Sequence, residues 1–321
     1  PAGYGGGGTE ATVTDANLVL GRLGTARRLG GKIAPDRQLA EAAVARLAGR
    51  LNLGVEELAE GILRLAVARM AGAIRAITVE KGHDPADFAL LPFGGAGGMH
   101  ACDLAEELGM SEVLVPICPG NLSALGLLAS DQRQELVRTH VRTLDKLDSG
   151  ELKSLIAAQE TAGRALPLLA GLPQARVQFE HALDMRYARQ AFEITVPLPA
   201  PTPSPMALRA RFLEHYQQLH GHADPHGAIE IVTLRTMAIG VTDKPALQKL
   251  APGSGKPAAT GQRAVQLRGK VSGWPVYDRA GFGAGDRFAG PAIVEEANAT
   301  TVVLPDWSAT VDRWGNIRLK R

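Results

Sequence analysis

The amino-acid sequence predicts an α/β fold followed by a β-rich C-terminal region. Apolar residues recur at three- and four-residue intervals from Glu56 to Glu80, the pattern of one long amphipathic helix. Two short apolar segments, 88–93 and 112–116, flank a second helical pattern, and this β-α-β order is typical of α/β packing. Beyond residue 170 the apolar period changes from helical to two, which indicates strands. A chain of 321 residues has room for about two domains.

Helix signals dominate the first part of the chain. Asp15 is predicted to cap a helix over 16–23, and Asp36 a second helix that ends near Leu51, because aspartate accepts hydrogen bonds from the free N–H groups of a first turn. Gly82 is predicted to end the long helix, since glycine readily adopts the left-handed conformation at a helix C-terminus. The stripe expected to face the core consists of Leu58, Ile62, Leu65, Ala66, Met70, Ile74 and Ile77.

The next elements alternate between strand and helix. A buried strand is predicted over 88–93, a helix over 99–108 and a short strand over 112–116. Residues 120–130 are predicted to form a small-residue helix or turn, and residues 135–144 an extended strand. The later predicted elements are a helix over 151–169, strands over 176–185 and 191–198, a proline-rich linker over 199–205, a helix over 206–219 and short strands after Ile229.

A domain boundary is predicted near residue 170, where Gly171-Leu-Pro interrupts the helical pattern. The sequence therefore divides into an α/β domain over residues 1–145, a helical connector over 146–175 and a β-rich domain over 176–321.

Composition and charge argue against several classes of protein. The formal net charge of +2 is too small, and the basic residues too dispersed, for a nucleic-acid or anionic-membrane partner. No apolar run approaches the roughly 18 residues that span a bilayer, and no signal peptide is expected. Cys102 and Cys118 are the only cysteines, which argues against a disulfide framework and a cysteine-rich zinc site. A reducing cytoplasm is the expected compartment.

The first residues, PAGYGGGG, resemble an internal glycine-rich loop more than the start of a protein. We expect that material upstream of Pro1 has been removed or is carried by another chain. A disordered linker is the alternative interpretation of this segment.

Gly94, Gly95, Ala96, Gly97 and Gly98 form a turn between a predicted strand and a predicted helix, and they are the candidate binding residues. Glycines let the backbone approach a ligand closely, and the first turn of the helix offers unpaired N–H groups at the positive end of its dipole. This order suits a nucleotide phosphate or a nucleoside. No Gly-Lys-[Ser/Thr] follows, and the dinucleotide spacing with its downstream acid is absent. A tight strand-to-helix connection is the alternative.

Four histidines, with Asp224 among them, could be mistaken for a metal cluster. His215 and His220 are five residues apart and so about 140° apart on a helix, which puts them on different faces. Nothing in the spacing of His222 and His226 forces convergence, so a polar helix end is the preferred interpretation.

Two further residues carry open alternatives. Arg69 lies about 20° from Leu58 on the long helix, on the expected apolar stripe, where a charge needs a partner or an anionic ligand. Its side chain either contacts ATP or another subunit, or packs its aliphatic part on the core and extends its guanidinium to a carboxylate. Cys102 lies one turn into the helix that follows the glycines, where the dipole lowers the pKa of a thiol. His100, two residues away, points elsewhere, so a small buried thiol is preferred to a nucleophile.

Several ordered segments resemble the hydantoinase A and 5-oxoprolinase family, and together they cover essentially the whole chain. In the first half they are TVTDANLVLGRL at 12–23, GHDPADFALLPFGGAGGMHACDLAEELG at 82–109 and PICPGNLSALGLLASD at 116–131. In the second half they are DMRYARQAFEITVPLP at 184–199, the helix with His215 and Gly221, and GPAIVEEANATTVVLPDW at 290–307. Two positions depart from the family pattern: Val67, where the family often has asparagine, and the glycines near Gly6, among which it usually has a charged residue.

The resemblance implies an ATPase module of the acetate kinase, sugar kinase, Hsp70 and actin superfamily, built from two ribonuclease H-like lobes. Residues 1–145 would be the second lobe, and Gly94, Gly95, Ala96, Gly97 and Gly98 would contact the adenosine part of ATP. The family uses ATP and Mg²⁺ to activate a carbonyl group, so that water opens a cyclic amide such as 5-oxoproline or a hydantoin. In related ketone carboxylases, activated bicarbonate adds to an enol phosphate instead.

The resemblance also implies partners. The acidic phosphate-binding loops of the family, with Asp-x-Gly-Gly-Thr patterns, are not found in this sequence. The chain is therefore expected to be the C-terminal half of a subunit whose N-terminal half holds magnesium, with a hydantoinase B-type subunit as a further partner. The alternatives are a subunit of an acetone- or acetophenone-type carboxylase and a non-catalytic assembly subunit.

Overall fold

The computed structural model describes residues 1–321, apart from the side chain of Ser149. The α-helices are α1 (Val13–Val19), α2 (Arg37–Leu51), α3 (Val55–Thr78), α4 (Gly97–Leu108), α5 (Leu122–Ala129), α6 (Ser149–Arg164) and α7 (Pro205–His220). The β-strands are β1 (Glu112–Val115), β2 (Gln132–Thr143), β3 (Val177–Tyr187), β4 (Ile194–Leu198), β5 (Ile229–Gly240), β6 (Gly261–Leu267), β7 (Lys270–Asp278), β8 (Arg287–Ala289), β9 (Ala292–Glu295), β10 (Thr300–Val303), β11 (Ser308–Val311) and β12 (Ile317–Lys320).

The chain forms two compact units. Residues 1–127 and 246–321 make the first unit, and residues 128–245 make the second, so the second is an insertion in the sequence of the first. Each unit has its own apolar core. The core of the first draws on residues from Ala16 to Leu319, whereas the core of the second lies between Leu144 and Leu234.

Four helices of the first unit pack on one another. α1 packs on α2 and α3, and α3 packs on α4. α2 begins where the Asp36 carboxylate accepts hydrogen bonds from two backbone N–H groups, and α3 is followed by a short 3-10 turn that ends at Gly82 with φ of +79°. The buried side chains of α3 are Leu58, Ala59, Leu63, Val67 and Ala71.

Two four-stranded sheets complete the first unit. One has the order β1-β12-β11-β8 with all neighbours antiparallel. The other has the order β10-β9-β7-β6, in which β7 and β9 are parallel. α4 packs against β10 and β1, so the helix that follows the glycine turn contacts a strand from each sheet.

The second unit is one antiparallel sheet with two helices. Its strand order is β2-β5-β3-β4, and the long central pair aligns Leu183 with Leu234. α6 packs on β5, β2 and β3, and α7 packs on β4. The apolar face of α7 buries Leu208, Phe212 and Tyr216.

Most predicted helices are confirmed, but the start of α1 is not. Asp15 was expected at the N-cap; the N-cap is Thr12, and Asp15 is the third residue of the helix in a reciprocal capping box. Its carboxylate also accepts hydrogen bonds from Ala2 N at 3.2 Å and Gly3 N at 2.8 Å. Asp15 therefore joins the start of α1 to the first residues of the chain, a contact that helix signals alone do not show.

The strand predicted over 88–93 is wrong. Only Leu90 makes a ladder contact, a parallel bridge to Val113 in which Leu90 N donates to Glu112 O and Leu114 N to Leu90 O. Pro92 has no N–H to extend such a ladder. Phe88, Leu91 and Phe93 are about half exposed, so the apolar run is not a buried strand.

The two units differ from the predicted segments 1–145, 146–175 and 176–321. The strand predicted over 135–144 is β2, which pairs with β5 in the second unit. β6 to β12 belong to the first unit, because β12 pairs with β1, for example Ile317 with Val115. Partners so far apart in the sequence leave no local signal from which a boundary could be read.

Candidate functional site

The segment Gly94–Gly98 leads into α4 in the first unit, and Gly97 and Gly98 are the first two residues of that helix. Gly94 has φ of +86°, a left-handed conformation that favours glycine. Gly95 and Ala96 are exposed, whereas Gly98 is buried. Of the five predicted residues, Gly95 and Ala96 are therefore open to a ligand.

Two other segments hold this turn in place. Gly94 N donates to Pro119 O at 2.7 Å, and Thr300 N donates to Gly95 O at 3.3 Å. A Cβ on Gly95 would lie 2.9 Å from Asn298 O, and a Cβ on Gly120 only 2.6 Å from the same atom. The loop between β9 and β10 therefore meets the turn backbone to backbone, and the close approach excludes side chains at Gly95 and Gly120.

The start of α4 is suited to an anion. Its N-cap residue, Ala96, provides no side-chain cap, and the first backbone bond is Met99 N to Ala96 O at 3.0 Å. Without a capping side chain, the N–H groups of Gly97 and Gly98 receive no side-chain acceptor from the N-cap, and the helix dipole favours negative charge there. The exposed part of the turn thus suits an anionic ligand, although part of its glycine content serves packing within the chain.

A pocket of about 270 Å³ adjoins the same segments. It is lined in part by Cys118, which directly precedes Pro119, and by Glu296, which lies two residues before Asn298. The Arg279 guanidinium pairs with the Glu296 carboxylate at 2.8 Å and donates to Pro116 O and Gly315 O. Burial raises the pKa of Glu296, and Arg279 opposes that rise. No motif in the sequence marks Arg279, so this pocket was missed.

A larger cleft, of about 530 Å³, lies where α3 and α4 approach each other. Val67 and Arg22 line it, and the Arg22 guanidinium, buried, pairs with the Asp103 carboxylate at 2.5 Å. Val67 thus borders this cleft. The Nε of Arg22 and the Nδ1 of the buried His100 make no hydrogen bond within the described part of the chain.

Arg69 does not lie on the buried face of α3. Its side chain is exposed, because Arg69 is two residues from the buried Val67 and therefore about 160° round the helix. Leu65 is exposed for the same reason. Arg69 was placed on the expected stripe because it lies about 20° from Leu58, but Leu58 is at the edge of the buried face.

Cys102 is a buried thiol. Burial raises its pKa to about 12, which outweighs any lowering by the dipole of α4. At neutral pH the group is therefore protonated and a poor nucleophile. Burial also lowers the pKa of His100, so this imidazole is neutral at pH 7.

The histidines of α7 and the turn that follows it make local contacts. His215 Nδ1 lies 3.0 Å from Arg211 O, and His222 Nδ1 lies 3.1 Å from His220 O. The His220 ring packs on Tyr216, with 4.4 Å between ring centroids. Across the described residues, no group of three or more His, Cys, Asp or Glu side chains is placed to hold a metal ion. No helix among them is long and apolar enough to cross a membrane.

Two family models match the chain. The hydantoinase/oxoprolinase model matches residues 1–136, and the hydantoinase/oxoprolinase C-terminal domain model matches residues 164–321. The chain belongs to the hydantoinase/oxoprolinase family. The resemblance carried by the sequence motifs is thereby confirmed.

The relatives of this family member are longer proteins. Caprolactamase subunit alpha of Pseudomonas jessenii is 35% identical over 97% of the chain, which covers 46% of that subunit. 5-Oxoprolinase 1 of Arabidopsis thaliana is 30% identical over 98% of the chain, which covers 26% of that protein. The chain therefore spans about half the length, or less, of these two relatives.

Two solved structures have a similar fold. ATP-dependent caprolactamase from Pseudomonas jessenii superimposes with a TM-score of 0.78 at 33% identity, covering 100% of this chain and 48% of that one. The nucleotide-free structure of acetone carboxylase superimposes with a TM-score of 0.84 at 24% identity, covering 99% of this chain and 48% of that one. At 24% identity, the second similarity shows the fold alone.

Proposed function

We propose that the chain is part of an ATP-dependent hydrolase that opens a cyclic amide of the 5-oxoproline, hydantoin or caprolactam type. The observation that carries the proposal is the family match over nearly the whole chain, with caprolactamase subunit alpha and 5-oxoprolinase 1 among the relatives at 30% identity or more. The exposed turn before α4 supports it, because that turn suits an anionic ligand such as a nucleotide.

The proposed chemistry answers a physical need. Resonance makes an amide carbonyl a weak electrophile, so water attacks it slowly. Transfer of the γ-phosphoryl group of ATP to the carbonyl oxygen would make the carbon electrophilic and supply a good leaving group. Water adds to that carbon, the C–N bond breaks with proton transfer to nitrogen, and a second water releases phosphate. Each turnover would consume ATP and yield ADP, phosphate and the ring-opened amino acid.

We place the adenosine side of ATP at Gly94, Gly95, Ala96, Gly97 and Gly98, in a lobe of ribonuclease H type formed by the first unit. The Mg²⁺ ligands are proposed to lie in the remainder of the subunit. The proposed partners are that remainder, expected to be an N-terminal half, and a hydantoinase B-type subunit. A cytoplasmic location is part of the same proposal.

The experiment is to assemble this chain with the remainder of the subunit and the B-type partner, and to measure ATP hydrolysis with 5-oxoproline, hydantoin and caprolactam. ATP hydrolysis that rises with one lactam, coupled to formation of the amino acid, is the expected result. Calorimetric titration of ATP into the chain alone should show weak binding. If the chain alone bound ATP as tightly as the assembly does, dependence on the other half would be disproved.

Ketone carboxylation is a second candidate. The acetone carboxylase beta subunit of Xanthobacter autotrophicus is 26% identical over 92% of the chain. ATP hydrolysis that requires both bicarbonate and a ketone, without lactam turnover, would select this activity. An assembly that forms but hydrolyses ATP with neither substrate would instead indicate a non-catalytic subunit.

A further inference from the structure

α5 is apolar on all sides, yet none of its described side chains is buried. Its sequence, LSALGLLA, has no charged residue, and Leu127 is 79% exposed. A helix that is apolar all round normally lies inside a core, and a contiguous apolar area on a surface marks an interaction site. The described residues therefore leave Leu127 uncovered.

The segment before the glycine turn adds to this apolar area. Leu91 and Phe93 are 46% and 56% exposed. The hydrogen bond from Gly94 N to Pro119 O places the end of this segment beside the residues that lead into α5. Leu91, Phe93 and Leu127 are called the apolar docking surface below.

We propose that the remainder of the enzyme subunit, the part that lies outside these 321 residues, docks on the apolar docking surface. The inference rests on the proposed function, since it assumes that the chain works as part of a larger subunit. The length of the relatives supports this occupant: the chain covers 46% of caprolactamase subunit alpha and 48% of the chain in the caprolactamase structure. A polypeptide of similar length is thus available to cover the surface.

The chemistry and position of the surface support the same occupant. Because α5 carries no charged side chain, the surface suits a protein partner that buries apolar side chains. It provides no basic side chain for a nucleic acid and no counter-charge for a highly charged peptide. The surface also adjoins Gly94, so a polypeptide docked there lies beside the candidate nucleotide turn. Docking would thus supply the second wall of the nucleotide cleft.

The test uses this chain and the polypeptide that supplies the remaining half of the subunit in the same source, purified separately and titrated against each other without ATP. Leu127→Asp and Phe93→Asp should each weaken association at least about tenfold, because each buries an unpaired carboxylate in the interface. Met206→Asp is the matched control: Met206, on α7, is 82% exposed and lies outside the surface. It should leave the dissociation constant unchanged.

The outcomes separate the possibilities. Thermal unfolding of all three variants should match that of the unaltered chain, because none of the three side chains is buried. Unchanged association of both Leu127→Asp and Phe93→Asp overturns the proposal, as does a dimer of this chain that Leu127→Asp dissociates, since a second copy is then the occupant. ATP hydrolysis is measured separately. If association depends on Leu127 but the complex neither binds nor hydrolyses ATP, the docking inference stands and the proposed function fails.

Discussion

The four glycines of the turn before α4 lack a side chain for different reasons. Gly94 adopts a positive φ, and a Cβ on Gly95 would strike Asn298 O. A Cβ on Gly98 would lie 2.5 Å from Thr301 Oγ1 and 2.9 Å from Thr300 O. A Cβ on Gly97 would lie 3.5 Å from its nearest neighbour, Pro92, an ordinary contact. Gly97 is therefore the position at which nucleotide binding can be tested without disturbing the fold.

Alanine substitutions at Gly98 and Gly97 should separate the role of the turn in packing from its role in nucleotide binding. Gly98→Ala should lower the free energy of unfolding by about 1–3 kcal/mol, because the methyl group overpacks against β10. Gly97→Ala should leave it unchanged or raise it by up to about 1 kcal/mol, since alanine favours the helix. Urea denaturation measures both. If the turn contacts ATP, Gly97→Ala also weakens ATP binding by the assembled enzyme; an unchanged dissociation constant would leave the turn as a simple connection.

The two cysteines should differ sharply in reactivity. Cys102 is buried with a pKa of about 12, whereas Cys118 is exposed. Because the thiolate is the reactive form, iodoacetamide at pH 8 should modify the folded chain once, at Cys118. Mass spectrometry before and after Cys118→Ser checks this. Labelling of Cys102 at a similar rate would contradict the burial of that thiol.

Asp15 should contribute more to stability than an ordinary capping residue. Its carboxylate accepts hydrogen bonds from Ala2 N, Gly3 N, Thr12 N and Thr12 Oγ1. Asp15→Asn turns one acceptor into a donor that faces donors, so we expect a loss of about 2–4 kcal/mol in the free energy of unfolding. Asp36→Asn is the matched control, because asparagine caps α2 about as well as aspartate. Equal effects of the two substitutions in urea denaturation would refute the special role of Asp15.

Elements whose signals are local were predictable from the sequence. A helical period marks α2, α3 and α7, with Asp36 before the first helix and Gly82 and Gly221 after the other two, all within one segment. The same holds for the glycine turn, because its composition marks it directly. The loop of Asn298 and the pair Arg279–Glu296 were not predictable, since their place beside the turn depends on strand pairing distant in sequence.

The ion pair Arg22–Asp103 links the segment just after α1 to α4 and should contribute to the stability of their packing. The Arg22 side chain is 5% exposed and that of Asp103 is 25% exposed. Asp103→Asn leaves a buried guanidinium without its counter-charge, which should cost about 3 kcal/mol, the lower end of the range for such pairs because Asp103 is partly solvated. Arg22→Met combined with Asp103→Leu should recover most of that loss. Urea denaturation of the single and double variants measures it; a double variant as unstable as Asp103→Asn would contradict the ionic explanation.

At the scale of the whole molecule, the order of the chain hides its division into units. The period change near residue 170 is real, since strands dominate from β3 onward. It does not mark a boundary between compact units, because β12 inserts between β1 and β11 and so joins the last residues to the first unit. Hydrophobic period reports the type of an element but not its distant partner.

Fragments of the chain can therefore decide between the two divisions. Residues 128–245 contain a complete four-stranded sheet and a separate core, so this fragment should fold alone, with mixed α/β circular dichroism and one cooperative urea transition. Residues 176–321, the β-rich domain predicted from the sequence, should not fold, because the fragment lacks β1 and β2, which pair with β12 and β5, and the helices α1 to α4 that share the core of the first unit. A cooperative transition for 176–321 and none for 128–245 would show that the boundary lies near residue 170 after all.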